Sequence, residues 1–174
     1  MLSSEPIFPK PVEGRIPNFI GAEEAARKLS LQREWKEAEV IFVNPDSPQR
    51  HVRYLGISQG KILVMATPRI KEGFLLLDPE EIPASRYYEA STISGAFRYG
   101  RKVGLEVPRI DLKVTGSVAV DEGGGGSVRD TVTPTWSTGY WGRSGLSESA
   151  PRSPPLFTIF RSWRRSLWRN MTCP

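Results

Sequence analysis

The sequence predicts an α/β fold with a mostly parallel sheet, and three observations lead there. Short apolar runs of strand length recur: E-V-I-F-V at 39–43, K-I-L-V-M-A at 61–66 and G-F-L-L-L-D at 73–78. Helix-forming stretches and short loops alternate with them, as in βαβ units. Crossovers of this kind are right-handed and put helices on both faces of the sheet.

The elements follow in order. Residues 1–20 read as an extended arm, because Pro6, Pro9, Pro11 and Pro17 block helix. Ala22 to Lys36 reads as one helix that buries Ala25, Ala26, Leu29 and Leu31, with Trp35 near its end. Glu39 to Val43 is the first buried strand. Asn44-Pro45-Asp46 forms a turn, and Asp46 or Ser47 can cap a helix that carries Pro48 in its first turn. That helix runs to about Ser58 and stops at Gly60. Lys61 to Ala66 is the second strand and Gly73 to Asp78 the third. Ser91 to Val103 reads as a helix around Ile93, Ala96 and Phe97, and Leu112 to Val120 as a fourth strand interrupted at Gly116. No internal repeat is visible.

Composition bounds the function. The 174 residues suit one domain. No run of about 18 apolar residues is present, so no transmembrane helix is expected. The N-terminal stretch lacks a basic region followed by an apolar one, so no secretory signal is read, and the expected location is cytoplasmic. A single cysteine excludes an internal disulfide and a cysteine-based metal cluster.

Charge divides the chain at Gly123-Gly124-Gly125-Gly126. Residues 1–122 hold 17 Lys and Arg against 17 Asp and Glu. The last 52 residues hold seven Arg, no Lys, two acids, four of the five Trp and the single Cys. The whole net charge of +5 therefore lies in 123–174, where no hydrophobic periodicity is evident. The expected organisation is an α/β region over 1–122 and an aberrant basic tail without a packed core over 123–174. Glycine codons in a row make G-rich DNA in which one base is easily lost. Recombining the third base of each codon with the first two of the next forces Leu at Tyr140–Trp141, Gly at Trp141–Gly142 and Asp at Met171–Thr172. Within the permitted codons, Val128 to Gly142 can read K-G-Y-G-Y-S-D-L-E-Y-G-I-L-G. Leu156 to Pro174 can read V-H-D-L-Q-V-V-E-E-V-P-V-E-E-H-D-V-P. The tail is compatible with a coding frame read one base out of register.

In a parallel sheet, ligands bind beyond the carboxyl ends of the strands. The loops leaving those ends carry Asn44, Asp46, Gln49 and Arg50, then Pro68 and Arg69, then Asp121. A turn entering a helix offers free N–H groups to an anion, and Arg50 and Arg53, three apart, can share a helix face. An Arg fork suits phosphate or carboxylate; the competing reading is a capped surface helix with solvated arginines. Arg69 is a functional residue or an ion-pair partner of Glu72 or Asp78. Asp121 is a turn residue or a Mg²⁺ ligand. His51, the only histidine, is expected to face solvent without a catalytic role. Ser117 lacks a nucleophile-elbow pattern.

Several ordered segments together resemble one family. I-P-N-F-I-G-A-E-E-A-A (16–26), V-N-P-D-S-P-Q-R-H-V-R (43–53), G-K-I-L-V-M-A-T-P-R (60–69), L-L-D-P (76–79) and V-T-G-S-V-A-V-D (114–121) are similar to the 5-formyltetrahydrofolate cyclo-ligase family. The nearest branch is the archaeal-type one shared with methenyltetrahydrofolate synthetase domain-containing proteins, and the similarity covers roughly 14 to 122. The shifted-frame K-G-Y-G-Y-S-D resembles the family's Gly-rich loop, and V-H-D-L-Q-V-V its closing strand. The resemblance implies a Rossmann-like three-layer fold with a mostly parallel sheet, incomplete at the C-terminus. It also implies ATP- and Mg²⁺-dependent cyclisation of 5-formyltetrahydrofolate to 5,10-methenyltetrahydrofolate, impaired here because the Gly-rich loop is missing as translated. By position it assigns Arg50, Arg53 and Arg69 to the anionic groups of ATP or folate, and Asp121 to the metal or the loop. The expected partners are a reduced folate and ATP, with no membrane and no nucleic acid. The alternative is a non-catalytic binding module of the same fold, with RNA as its ligand and the basic tail as a genuine element.

Overall fold

The computed structural model describes residues 18–67, 73–104, 107–116, 119–120, 126–127 and 156–159. The chain begins with helices α1 (Ala22–Ser30) and α2 (Arg33–Glu37), then strand β1 (Val40–Val43). A 3₁₀ turn (Ser47–Gln49) leads into α3 (Arg50–Ser58), followed by β2 (Ile62–Ala66) and β3 (Phe74–Leu77). A second 3₁₀ turn (Ala84–Arg86) leads into α4 (Tyr87–Ala90), α5 (Ile93–Tyr99) and β4 (Arg101–Gly104). The remaining strands are β5 (Leu112–Gly116), β6 (Ala119–Val120), β7 (Gly126–Ser127) and β8 (Leu156–Ile159).

The main sheet has six strands in the order β4-β3-β2-β1-β5-β8. Its centre is parallel, as the buried apolar runs predict: β1 pairs with β2, Ile41 opposite Leu63, and with β5, Ile41 opposite Leu112. β8 continues the parallel set on β5, and β6 and β7 form a separate antiparallel pair. The other edge is antiparallel, β3 against β2 and β4 against β3.

Side chains alternate between the two faces, as a period of two requires. Ile41, Val43, Leu63, Met65, Leu75, Leu77, Leu112 and Val114 point to one face. There they meet Ala26 and Leu29 of α1, Trp35 of α2, Val52 and Ile57 of α3, Ala90 of α4 and Ala96 of α5. Phe42, Val64, Ala66 and Phe74 point to the other face and gather with Ile110, Val40, Val103 and Val107. Each fully buried Leu or Ile contributes roughly 1.5–3 kcal/mol of transfer free energy, so these two clusters anchor the sheet.

Three expected elements are divided in the structure. The helix over 22–36 breaks at Leu31-Gln32, where Gln32 is extended and Leu31 is exposed. The buried face set by Ala22, Ala26 and Leu29 would continue at Arg33 and Lys36. Breaking the helix lets Trp35 enter the core instead, with its Nε1–H donating to Gln59 Oε1 at 2.7 Å. The helix over 91–103 is one short helix, α5, and the strand β4. Thr92 caps α5 by accepting from the Gly95 N–H at 2.9 Å, Ile93 is exposed, and Gly100 is extended and releases β4. The strand over 112–120 is β5 and the short β6.

The end of α3 matches its sequence signal. Gly60 has φ +78°, Gly60 N–H donates to Ile57 O at 3.1 Å and Lys61 N–H to Gly56 O at 2.9 Å. This pair of bonds is a Schellman closure, which needs the left-handed residue that glycine supplies. The Lys61 ammonium then donates to Ala38 O at 2.6 Å; burial lowers its pKa, against the opposing fields of Asp111 and Glu39.

Candidate functional site

The loop between β1 and α3 lies at the carboxyl ends of the parallel strands and is sewn to the neighbouring strand. Asn44 N–H donates to Val114 O at 3.4 Å, and its Nδ2 donates to Thr115 Oγ1 at 3.1 Å. Gln49 is fully buried; its amide donates to Asp46 Oδ2 at 3.2 Å and accepts from the Gly116 N–H. The start of β1 is held in a similar way. Asp111 Oδ2 accepts from Val40 N–H at 2.9 Å and Glu39 N–H at 3.1 Å, while Asp111 N–H donates to Val40 O at 2.9 Å.

Arg53 leaves α3 toward the interior and is 2% exposed. Its Nε donates to Ser91 O at 2.8 Å, and its Nη1 donates to Asn44 O at 2.6 Å and Asp46 O at 3.1 Å. Burial pulls its pKa down to about 10, the Asp46 carboxylate opposes that shift, and the Arg50 charge adds to it. The group remains a cation at neutral pH.

Arg50 takes a different course. Its guanidinium carbon lies 4.2 Å from the centroid of the Tyr88 ring, a cation–π contact. Tyr88 meets Tyr54 edge-on at 5.9 Å, and Tyr54 meets the half-buried His51 ring at 5.8 Å. Among the described residues no carboxylate lies within ion-pair distance of Arg50, and its Nε is buried without an acceptor. Asn44 Oδ1 is likewise buried without a donor. Arg50 Nε and Asn44 Oδ1 are thus two buried polar atoms at the β1–α3 junction left without a partner, and a guanidinium is a side chain shaped to grip an oxyanion.

The expectation that Arg50 and Arg53 share a face is therefore resolved into two orientations, one spent on backbone carbonyls and one displayed. Arg69 and Asp121 lie outside the described residues. Tyr88 and Tyr54, the rings beside Arg50, are what the sequence reading missed; an Arg-Tyr-Tyr run that opens a four-residue helix carries no periodic signal. Asn44 and Gln49 were legible only as loop residues. Among the described residues no three His, Cys, Asp or Glu side chains gather as a metal cluster, and no helix is long and apolar enough to cross a membrane.

An α/β domain with a parallel-centred sheet and an arginine packed on a tyrosine ring beyond its strand ends defines a class, and comparison with known proteins narrows it. A profile described as the 5-formyltetrahydrofolate cyclo-ligase family matches residues 11–126, and the chain belongs to that family. Curated relatives share the name methenyltetrahydrofolate synthase domain-containing protein. The one from Bos taurus is 38% identical over 120 residues, covering 67% of this chain and 32% of the relative. The one from Mus musculus is 39% identical over 120 residues with the same coverage. The one from Homo sapiens is 33% identical over 120 residues, 67% of this chain and 31% of the relative. The chain thus spans about a third of the length of the relatives it matches. No solved structure matches it significantly.

Proposed function

We propose that this chain is a 5-formyltetrahydrofolate cyclo-ligase-type domain, with ATP and a reduced folate as substrates, whose phosphate loop is lost in the translated frame. The observation that carries the reading is the family match over residues 11–126. In the reaction the formyl oxygen of 5-formyltetrahydrofolate attacks the γ-phosphorus and ADP leaves. The second folate nitrogen then attacks the activated carbon, the oxygen departs with phosphate, and 5,10-methenyltetrahydrofolate forms. Such chemistry relies on alignment and charge stabilisation more than on a nucleophile supplied by the protein. Arg50 and Arg69 are assigned to phosphate or carboxylate oxygens, and Arg53, whose donors go to the Asn44, Asp46 and Ser91 carbonyls, to holding the β1 exit loop. Mg²⁺ would supply charge neutralisation at the triphosphate, and Asp121 is the carboxylate proposed to help hold it.

Residues 123–174 are read as out of frame. Three observations support this: the charge and Trp shift at Gly123, the profile ending at 126, and the family-like text of the shifted frame. The shifted closing strand begins at Leu156, where β8 pairs with β5. A Gly-rich turn that supplied amides opposite Arg50 would be missing, and losing even one preorganised donor costs about 10²–10³ in rate.

The test is methenyltetrahydrofolate formation by the chain as written beside a version with the single base restored near the glycine codons. The restored version is expected to turn over and the written one to be at least a hundredfold slower, a bound taken from about one lost donor. Equal activity would refute the frame reading. A restored protein that binds neither ATP nor 5-formyltetrahydrofolate would refute the ligase reading and leave a binding module.

A further inference from the structure

We propose that Arg53 is the positioning residue of the anion site: its guanidinium fixes the β1 exit loop and the Tyr88-bearing turn at one separation, and that separation seats Arg50 on Tyr88. The inference rests on the reading of Arg50 as the anion-binding cation, and it concerns how that cation is held.

The three acceptors of Arg53 come from two separate pieces of chain. Asn44 O and Asp46 O belong to the loop that leaves β1; Ser91 O belongs to the residue that ends α4. Ser91 is itself tied to the turn carrying Tyr88, through Ser91 Oγ–H to Tyr88 O at 2.7 Å and Ser91 N–H to Tyr87 O at 3.0 Å. Arg50 starts α3, the helix that carries Arg53 three residues later. Helix, loop and Tyr88 turn are therefore referred to one rigid, planar group. A lysine at this position would bring the charge but not the fork, and could not serve carbonyls on two sides at fixed distances. An apolar residue would fill the space, take the guanidinium donors from the Asn44 and Ser91 carbonyls and leave Asp46 O with the Gln49 N–H alone. The arrangement also accounts for why Arg50 stays over an exposed ring with no carboxylate among the described residues to hold it. Its base is fixed by Arg53, and its tip needs only the weak attraction of the Tyr88 face.

The experiment reads Arg50 directly. In ¹⁵N-labelled protein the Arg50 Nε–Hε resonance carries a ring-current shift from Tyr88, with or without ligand. Arg53→Lys is expected to melt cooperatively, to move that resonance to the position it takes in Tyr88→Ala, and to weaken pyrophosphate binding by about tenfold or more. A merely structural role would lower the melting temperature and leave the Arg50 shift and the affinity unchanged; that result overturns the proposal. Should Arg53→Lys fail to fold, Arg53→Gln, whose amide still serves one carbonyl, takes its place. If neither folds, Arg53 is a core residue only and the proposal is also overturned. The resonance is measured without ATP or folate, so failure of the ligase reading would show separately, as an unmodified protein that keeps the shift and binds neither substrate.

Discussion

Replacing Arg50 with Gln removes a cation that makes no hydrogen bond to any described residue. Its stabilising partner is the Tyr88 ring, and an exposed cation–π contact is worth about 0.5–1 kcal/mol, so the melting temperature should move little. A charge-assisted bond to a ligand is worth roughly 1.5–3 kcal/mol, so affinity for ATP should fall by about tenfold or more in calorimetric titration. Unchanged affinity would remove Arg50 from the site. Lys113 gives the pH-dependent case. Its burial on β5, near the Phe42 ring at 6.0 Å, lowers its pKa from 10.5 to about 8. The unfolded chain holds that proton up to 10.5 and the folded chain only to about 8, so between these values the unfolded state binds more protons. Stability therefore rises as pH rises through that window, and the cost is fully present below it. Lys113→Met should flatten that rise, because the titrating group is gone. Urea unfolding of the two proteins at neutral and alkaline pH checks this.

At the scale of elements, the legible parts were those whose signal is periodic or terminal. β1 and β2 are unbroken apolar runs, and α3 ends where Gly60 says it should. The illegible parts were set by contacts distant in sequence. β4 carries exposed Arg101 and Lys102, as an edge strand does, and so shows no alternation. The break between α4 and α5 is enforced by close approach: a Cβ on Gly95 would run into the Glu89 carbonyl. No rotamer change relieves a clash with backbone. Gly95→Ala should therefore destabilise by about 2 kcal/mol or more, whereas Thr92→Ala loses the cap bond from Gly95 N–H and the hydroxyl bond to Glu89 O and should cost about 1 kcal/mol. Thermal unfolding of the two variants side by side tests the order; a milder effect for Gly95→Ala would mean that the helix junction is not rigid. Within the site, Arg50 was legible because a strand end followed by an arginine-bearing helix is a local pattern. Tyr88 was not, because it reaches Arg50 from an element 38 residues further on, as the Arg53–Ser91 bond also does.

For the molecule as a whole, the seam between β1 and β5 sets a condition on how fast the chain can organise. β1 lies at the centre of the sheet, yet its second partner arrives 71 residues later, where Asp111 closes on Val40. The entropy of closing so long a loop must be spent before any of the paired contacts reward it. β1, α3 and β2 are close in sequence and can assemble first, presenting a half-formed sheet with an open edge on β1. Until β5 arrives, that edge can pair with another chain, so refolding should lose yield to aggregation as concentration rises. Asp111→Ala removes the latch on this seam. It is expected to slow refolding more than it speeds unfolding in stopped-flow chevrons, and the reverse pattern would place the seam after the rate-limiting step. The interval during which β1 waits for its partner is then a property of topology, and it sets how well this chain survives its own synthesis.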